Sequence, residues 1–285
     1  MHYFLPIAVA GLLLFPLLQS SAAEAPSLVS PWHSEARTRA RLIAGGPAAD
    51  SPSGTIAVGI EIEIAEGWKT YWRNPGSSGV PPLFDWSSSS NLASVEVRYP
   101  APSRYSDRDG EVIGYKGHLV LPVVARPQDP GREVTLSLGL EYGVCKDICI
   151  PVQTRLELVL PPGSERHAVA DALTRAFDRV PRPLNARRPS DPDLRHVQMT
   201  LDGEKPAIRF IAAFPGGAEG ADLFLDPPAG LWMPLAKPEG APQGETASFV
   251  VDLSEGADLA DLKGKTVRIT LVSARGQSET TLKLE

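Results

Sequence analysis

The sequence lacks the motifs of the commonest enzyme chemistries. It has no P-loop, no dinucleotide fingerprint, no HExxH and no GxSxG. Its five histidines, His2, His33, His118, His167 and His196, are scattered with no metal-ligand spacing. Methionine is scarce: Met1, Met199 and Met233 are the whole set. Positive charge is in deficit, with 28 Lys and Arg against 34 Asp and Glu and a net charge of −6, which argues against nucleic acid as a partner. Beyond residue 18 no stretch is long and apolar enough to span a membrane. Cysteine is almost missing: the 285 residues hold two, Cys145 and Cys149.

The apolar run that does exist is at the start. Phe4 to Leu18 is broken by Pro6 and Pro16, and Ser20-Ser21-Ala22-Ala23 supplies the small residues of a cleavage site before Glu24. Residues 1–23 therefore read as a secretory signal peptide, although its first residues carry no Lys or Arg. Cleavage is expected because the run is short for a span of about 20 residues. The mature chain is expected to be exported, with no stable membrane insertion and still at −6, since residues 1–23 hold no Lys, Arg, Asp or Glu. Its length of about 260 residues suits one large domain or two small ones. Twenty-eight prolines and 25 glycines favour many turns and short strands over long helices.

The strand pattern follows. Ile56, Val58, Ile60, Ile62 and Ile64 alternate over Thr55–Ala65, with Glu61 and Glu63 on the other face, where they read as a solvated surface. Arg37 to Ile43 alternates as an earlier strand, its arginines solvent-facing. Trp68, Tyr71, Trp72 and Trp86 gather aromatic side chains that read as core packing, with an aromatic ligand groove as the alternative. Ser103 to Gly117 reads as a loop or loose hairpin, followed by a strand over Leu119–Ala125 and a turn at Gln128–Gly131. After Pro161-Pro-Gly163 the period changes: Ala168, Ala172, Leu173, Ala176, Phe177 and Val180 recur at helical spacing behind a possible Ser164 N-cap. Residues 181–192 read as a proline-rich linker whose Arg182, Arg187 and Arg188 form a solvated tether. Strands are expected again at Val197–Leu201, Ala207–Ala213, Asp222–Leu225, Ala247–Leu253, Val267–Ser273 and Ser278–Leu284, enough for a second sandwich. The fold class is thus all-β: two β-sandwich domains, residues 24–163 and 194–285, joined by a short helix and Pro-rich linker over 164–193. The second is expected to serve as scaffold or docking surface.

Both cysteines lie in Glu141-Tyr-Gly-Val-Cys145-Lys-Asp-Ile-Cys149-Ile-Pro151, between two alternating segments, Val134–Tyr142 and Val152–Leu160. A continuous strand would hold positions i and i+4 roughly 13 Å apart, too far for a disulfide. A turn or bulge at Lys146–Ile148 would bring them together. Three readings stay open on the residues alone: a redox pair, a staple, or a metal site. Against the staple, the chain-entropy model gives so short a ring only about 2 kcal/mol. Against copper on two thiolates, no methionine is near the pair.

Four motifs together resemble a known family. They are Trp68-Lys-Thr-Tyr-Trp-Arg-Asn-Pro-Gly; Ser-Gly-Val-Pro-Pro with Phe84-Asp-Trp86; Tyr115-Lys-Gly-His-Leu-Val-Leu-Pro-Val; and Tyr142-Gly-Val-Cys-Lys-Asp-Ile-Cys-Ile-Pro. Over roughly residues 37–160 they resemble the N-terminal periplasmic domain of DsbD-type thiol:disulfide interchange proteins, nearest in flavour to the ScsB branch. The resemblance implies a periplasmic location and an immunoglobulin-like sandwich, the type expected of both β-sandwich domains, whose cysteine pair passes electrons from a membrane partner to periplasmic substrates. Cys149 is then the sulfur of the mixed disulfide and Cys145 resolves it. A cap loop over the pair maps to about Tyr105–Gly114. The family cap carries an aromatic residue near the position of Arg108-Asp109, so Tyr105 or Tyr115 is expected over the sulfurs instead. Asp107, Asp109 and Glu111 are candidates for tuning proton traffic, with Lys146 as an offsetting cation. The expected partners are a thioredoxin-like periplasmic protein, a DsbD/CcdA-type membrane electron donor, or both, with no cofactor and no metal. The sequence shows neither the multi-span membrane domain nor the C-terminal thioredoxin domain of the full-length family proteins, so its electrons are expected from a separate membrane protein, the alternative being that the redox role has been lost. The rival readings are a non-catalytic periplasmic binding or assembly module with a structural disulfide, and a copper-binding module.

Overall fold

A computed structural model describes residue 1 and residues 27–48, 52–76, 78–107, 110–164 and 171–285, with Asp107 described by its backbone alone. The expected signal peptide lies outside the described residues, as does the segment that would join Ser164 to the helix. The fold is all-β. In chain order the first strands are β1 (His33–Glu35), β2 (Thr38–Pro47), β3 (Ile56–Ile64), β4 (Lys69–Gly76), β5 (Leu83–Asp85), β6 (Leu92–Val97), β7 (Ser103–Asp107), β8 (Gly110–Lys116), β9 (His118–Pro127), β10 (Val134–Cys145) and β11 (Cys149–Leu160). They form two antiparallel sheets. One has the order β1-β2-β3-β9-β6; the other has the order β11-β10-β4-β8-β7, with β5 alongside β10.

Period-two alternation builds the core between these sheets. Ile56, Val58, Ile60, Ile62 and Ile64 of β3 face Val134, Leu136, Leu138, Leu140, Tyr142 and Val144 of β10 across it, joined by Trp72 and Tyr115. Leu136, Leu138 and Leu140 are fully buried, each contributing about 1.5–3 kcal/mol of transfer free energy. The opposite face of the first sheet carries charge, and here the expected solvated surface is corrected. Glu61 is only 6% exposed: it accepts from Arg41 Nε at 2.6 Å and lies 2.7 Å from His118 Nε2. Three strands converge on this carboxylate, so lateral neighbours dry a position that alternation alone marks as wet. Arg39 and Arg41 in turn flank the Trp32 ring at 4.4 and 4.2 Å.

Helix α1 (Asp171–Asp178) covers the other end of that face, burying Leu173 and Ala176 against Ile43, Ala57, Val120 and Val124. The strands after it are β12 (Arg182–Pro183), β13 (Asp193–Thr200), β14 (Ala207–Ala213), β15 (Asp222–Asp226), β16 (Lys237–Pro238), β17 (Thr246–Asp252), β18 (Thr266–Val272) and β19 (Gln277–Lys283). They make two more four-stranded sheets, β12-β19-β18-β15 and β13-β14-β17-β16. A second core lies between them, built on Ile208, Phe210, Phe249, Leu223, Leu225, Ile269 and Leu271.

The linker is not a solvated tether. β12 pairs in parallel with β19, Arg182 against Ser278. Arg182 donates to both oxygens of the fully buried Asp191, at 2.6 and 2.8 Å, and the Arg188 amide adds a third bond at 2.8 Å. Burial alone would push the Asp191 carboxyl up; the Arg182 donors, the Arg188 amide and the guanidinium charge outweigh it and hold the group below its usual range. A depressed folded value means stability that is present above the unfolded pKa and lost as pH falls through the folded one. Asp191→Asn is therefore expected to cost about 2 kcal/mol at pH 7. The gap from the unsubstituted protein should narrow below about pH 4, as read by urea unfolding at both pH values.

The two pairs of sheets meet through β15, whose sequence Asp-Leu-Phe-Leu-Asp has work on both faces. Leu223 and Leu225 enter the second core. Phe224, 2% exposed, joins the first core, its ring 5.9 Å from that of Trp72. Asp222 and Asp226, on the face of Phe224, meet Arg104 and Arg73 at 2.7 and 2.9 Å. Arg73 also reaches Glu279 at 2.5 Å, and the Asn74 side-chain amide donates to the Leu225 carbonyl at 2.6 Å.

Candidate redox site

The cysteines face each other at the tip of the β10–β11 hairpin. Twelve residue pairs run in unbroken register from Val134↔Leu160 to Cys145↔Cys149, so the cysteines are direct cross-strand partners 4.1 Å apart at Cα and joined as a disulfide. The expected turn at Lys146–Ile148 is present, closed by Lys146 N–H donating to the Ile148 carbonyl at 3.0 Å. Because Tyr142 and Val144 point into the core, Cys145 points to the outer face of its sheet.

The two sulfur-bearing residues have different surroundings. Cys145 is 2% exposed and packs with Tyr71 and Val112, with Tyr105 at the edge of the cluster. Cys149 is exposed, as are Lys146, Asp147, Ile148 and Pro151; Ile148 retains 65% of its surface. The Tyr71 hydroxyl donates to Cys145 Sγ at 2.9 Å and lies 3.3 Å from Cys149 Sγ. Gly143 makes room for that ring: a Cβ there would sit 3.3 Å from Tyr71 Cε2. Lys69, 5% exposed, is the cross-strand partner of both Cys145 and Lys116. A lysine on the face of a thiol favours the thiolate form.

The proposed cap is a regular hairpin, β7 paired with β8 in the register Ser103↔Gly114, Tyr105↔Val112 and Asp107↔Gly110. Tyr105 and Val112 share the sulfur-facing side, and Lys116 Nζ lies 4.3 Å from the Tyr105 ring centroid. Tyr115 falls on the opposite face. It is buried in the main core, its hydroxyl donating to the Pro100 carbonyl at 2.8 Å, and burial holds its phenol well above the usual value. Glu111 bonds Arg104 at 3.2 Å, on the side of the hairpin away from the sulfurs. Asp109 and the Asp107 side chain lie outside the described residues. The structure thus brings Tyr105 to the edge of the Cys145 cluster and adds Tyr71 and Lys69, which the sequence alone does not name as site residues. Their available signal was parity: on β4 they share a face that Thr70 and Trp72 do not.

Among the described residues no group of three or more His, Cys, Asp or Glu side chains gathers as for a metal ion, and no helix is long and apolar enough to cross a membrane. Residues 39–161 match the family model described as thiol:disulfide interchange protein DsbD, N-terminal. No curated protein matches the chain. The crystal structure of the N-terminal periplasmic domain of ScsB from Proteus mirabilis is similar in fold, with a TM-score of 0.68 at 20% identity over 90% of this chain and 98% of that one. With this match and a cross-strand disulfide at the hairpin tip, residues 39–161 are a DsbD-type N-terminal domain.

Proposed function

We propose that the chain is a periplasmic thiol:disulfide interchange protein, exported by residues 1–23, that passes electrons through Cys145 and Cys149. Its partners are a thioredoxin-like periplasmic protein, a DsbD/CcdA-type membrane electron donor, or both. Residues 24–163 form the redox domain, 164–193 the helix and linker, and 194–285 a second domain. The observation that carries the reading is the asymmetry of the pair: Cys149 exposed beside Ile148 and Pro151, Cys145 2% exposed under Tyr71 and Val112. Thiol–disulfide exchange needs one sulfur that a partner can reach and one that departs as a thiolate. Cys149 suits the first role. Cys145 suits the second, with a tyrosine hydroxyl already donating to it and Lys69 on its face.

The reduction potential separates this function from a structural staple. A value between about −120 and −270 mV, in the range of exchange proteins, is expected by equilibration with glutathione or dithiothreitol. A value below about −300 mV, the regime of structural disulfides, would favour the non-catalytic module. Tyr71→Phe tests the hydroxyl. A hydrogen bond to a charged group contributes about 1.5–3 kcal/mol, so its loss should slow reduction by dithiothreitol roughly tenfold in stopped-flow traces. An unchanged rate would remove Tyr71 from the exchange step.

A further inference from the structure

The β7–β8 hairpin has two faces with different partners. On one, Tyr105 and Val112 close over Tyr71 and Cys145. On the other, Arg104 reaches into the second pair of sheets. Its guanidinium donates to both Asp222 oxygens at 3.0 and 2.7 Å and to the Ala236 carbonyl at 2.9 Å, and it lies 5.6 Å from the Phe224 ring centroid. Its remaining nitrogen meets Glu111 of the same hairpin at 3.2 Å. Both members of the pair are largely buried, Arg104 at 14% side-chain exposure and Asp222 at 18%. Arg104 and Tyr105 are consecutive on one strand, so their side chains project to opposite sides of a shared backbone.

We infer that the second pair of sheets clamps this hairpin over the disulfide through Arg104–Asp222, and thereby sets how fast the pair exchanges. The inference rests on the exchange function proposed above. In that reaction a partner thiolate attacks Cys149 Sγ; a new sulfur–sulfur bond forms as the Cys145–Cys149 bond breaks, and the bonding electrons leave on Cys145 as a thiolate. The partner's second thiol loses its proton and displaces Cys149. The partner departs as a disulfide, oxidised by two electrons, and the pair takes up two protons as two thiols. With the hairpin down, the Cys145 thiolate forms out of contact with solvent, and burial opposes the charge that the Tyr71 hydroxyl and Lys69 favour. Lifting the hairpin admits water, but it turns the strand that holds Arg104 and breaks the two-pronged bond to Asp222. Arg104 and Asp222 are positioning residues: neither touches a sulfur, and both hold Tyr105 against the cluster that buries Cys145.

The experiment compares the full-length oxidised protein with Asp222→Asn, which keeps the side-chain shape, and Arg104→Lys, which keeps the charge but loses the fork. Amide hydrogen exchange of β7 and β8 reads the clamp, and the rate of reduction by reduced thioredoxin reads the gate. Asp222→Asn should speed hairpin amide exchange and the thioredoxin reaction together, each about tenfold, with Arg104→Lys in between. Amides of β10 and β11 should keep their protection, which separates release of the hairpin from general loosening. Unchanged hairpin exchange in Asp222→Asn would overturn the clamp. Faster hairpin exchange with an unchanged rate would overturn the gate while leaving the interchange function standing. An unsubstituted protein that neither thioredoxin nor dithiothreitol reduces would sink the interchange function itself and the gate with it.

Discussion

Cys145→Ser is expected to accumulate a covalent complex with a thioredoxin-like periplasmic protein, or with a DsbD-type membrane protein, on a non-reducing gel, and Cys149→Ser is expected not to. This is the outcome expected from the two cysteine environments. Removing Cys145 leaves an exposed sulfur at a hairpin tip and no neighbour to release the mixed disulfide it forms. Removing Cys149 leaves a sulfur 2% exposed beneath Tyr71, Val112 and Tyr105, out of reach of a folded partner. The readout is close to all-or-none, because a missing resolving thiol turns a transient intermediate into an end product. Trapping by Cys149→Ser alone would exchange the two roles. No complex from either variant, in extracts that include the native membrane fraction, would leave a structural disulfide in a non-catalytic module.

The second large effect is expected at a glycine far from any sulfur in sequence. A Cβ on Gly114 would sit 2.0 Å from the Thr70 carbonyl oxygen and 3.1 Å from Tyr71 Cα. The obstacle is backbone on the neighbouring strand, so no rotamer change relieves it. Gly114→Ala should force β8 away from β4 and cost at least about 3 kcal/mol, measured by urea unfolding. The same substitution should disturb the site, since β4 carries Tyr71 and β8 carries Val112. A loss below about 1 kcal/mol, within what a tolerant surface site shows, would mean that the two strands are not held this closely.

Much of the fold was legible because a strand with one buried face writes its alternation into the sequence. The twelve-residue ladder of β10 and β11, the isoleucine stripe of β3 and the six later strands were all readable in this way. What alternation does not record is who covers the other face. Glu61 alternates as a surface residue, yet Arg41 and His118 close over it from neighbouring strands. Tyr71 looked like one more core aromatic beside Trp72; the two are adjacent on β4, so only one of them could be. Tyr105 and Tyr115 were indistinguishable until the hairpin register was known. Once Tyr105 is opposite Val112, Tyr115 lies an odd number of residues away from Val112 and must face the core. The joint between the two pairs of sheets did leave a trace. Phe224 is an apolar residue on the side of β15 that alternation reserves for solvent, and strands apolar on both faces are covered on both.

The parallel pairing of β12 with β19 also fixes an order of events in time. As a strand, Arg182 and Pro183 pair with Ser278 and Glu279, nearly a hundred residues later in the sequence. Pairings of such long range form slowly, and chains fold from the end that is made first. The sheets around the cysteines are complete by Leu160 and can assemble while the rest is still being delivered. During that interval Trp72 lacks Phe224 and Arg104 lacks Asp222, so the nascent protein has its disulfide hairpin in place before the clamp exists. On the clamp proposed above, a chain whose second pair of sheets has not yet formed would leave its cysteines to be oxidised or reduced without restraint, until β15 brings Asp222 to Arg104.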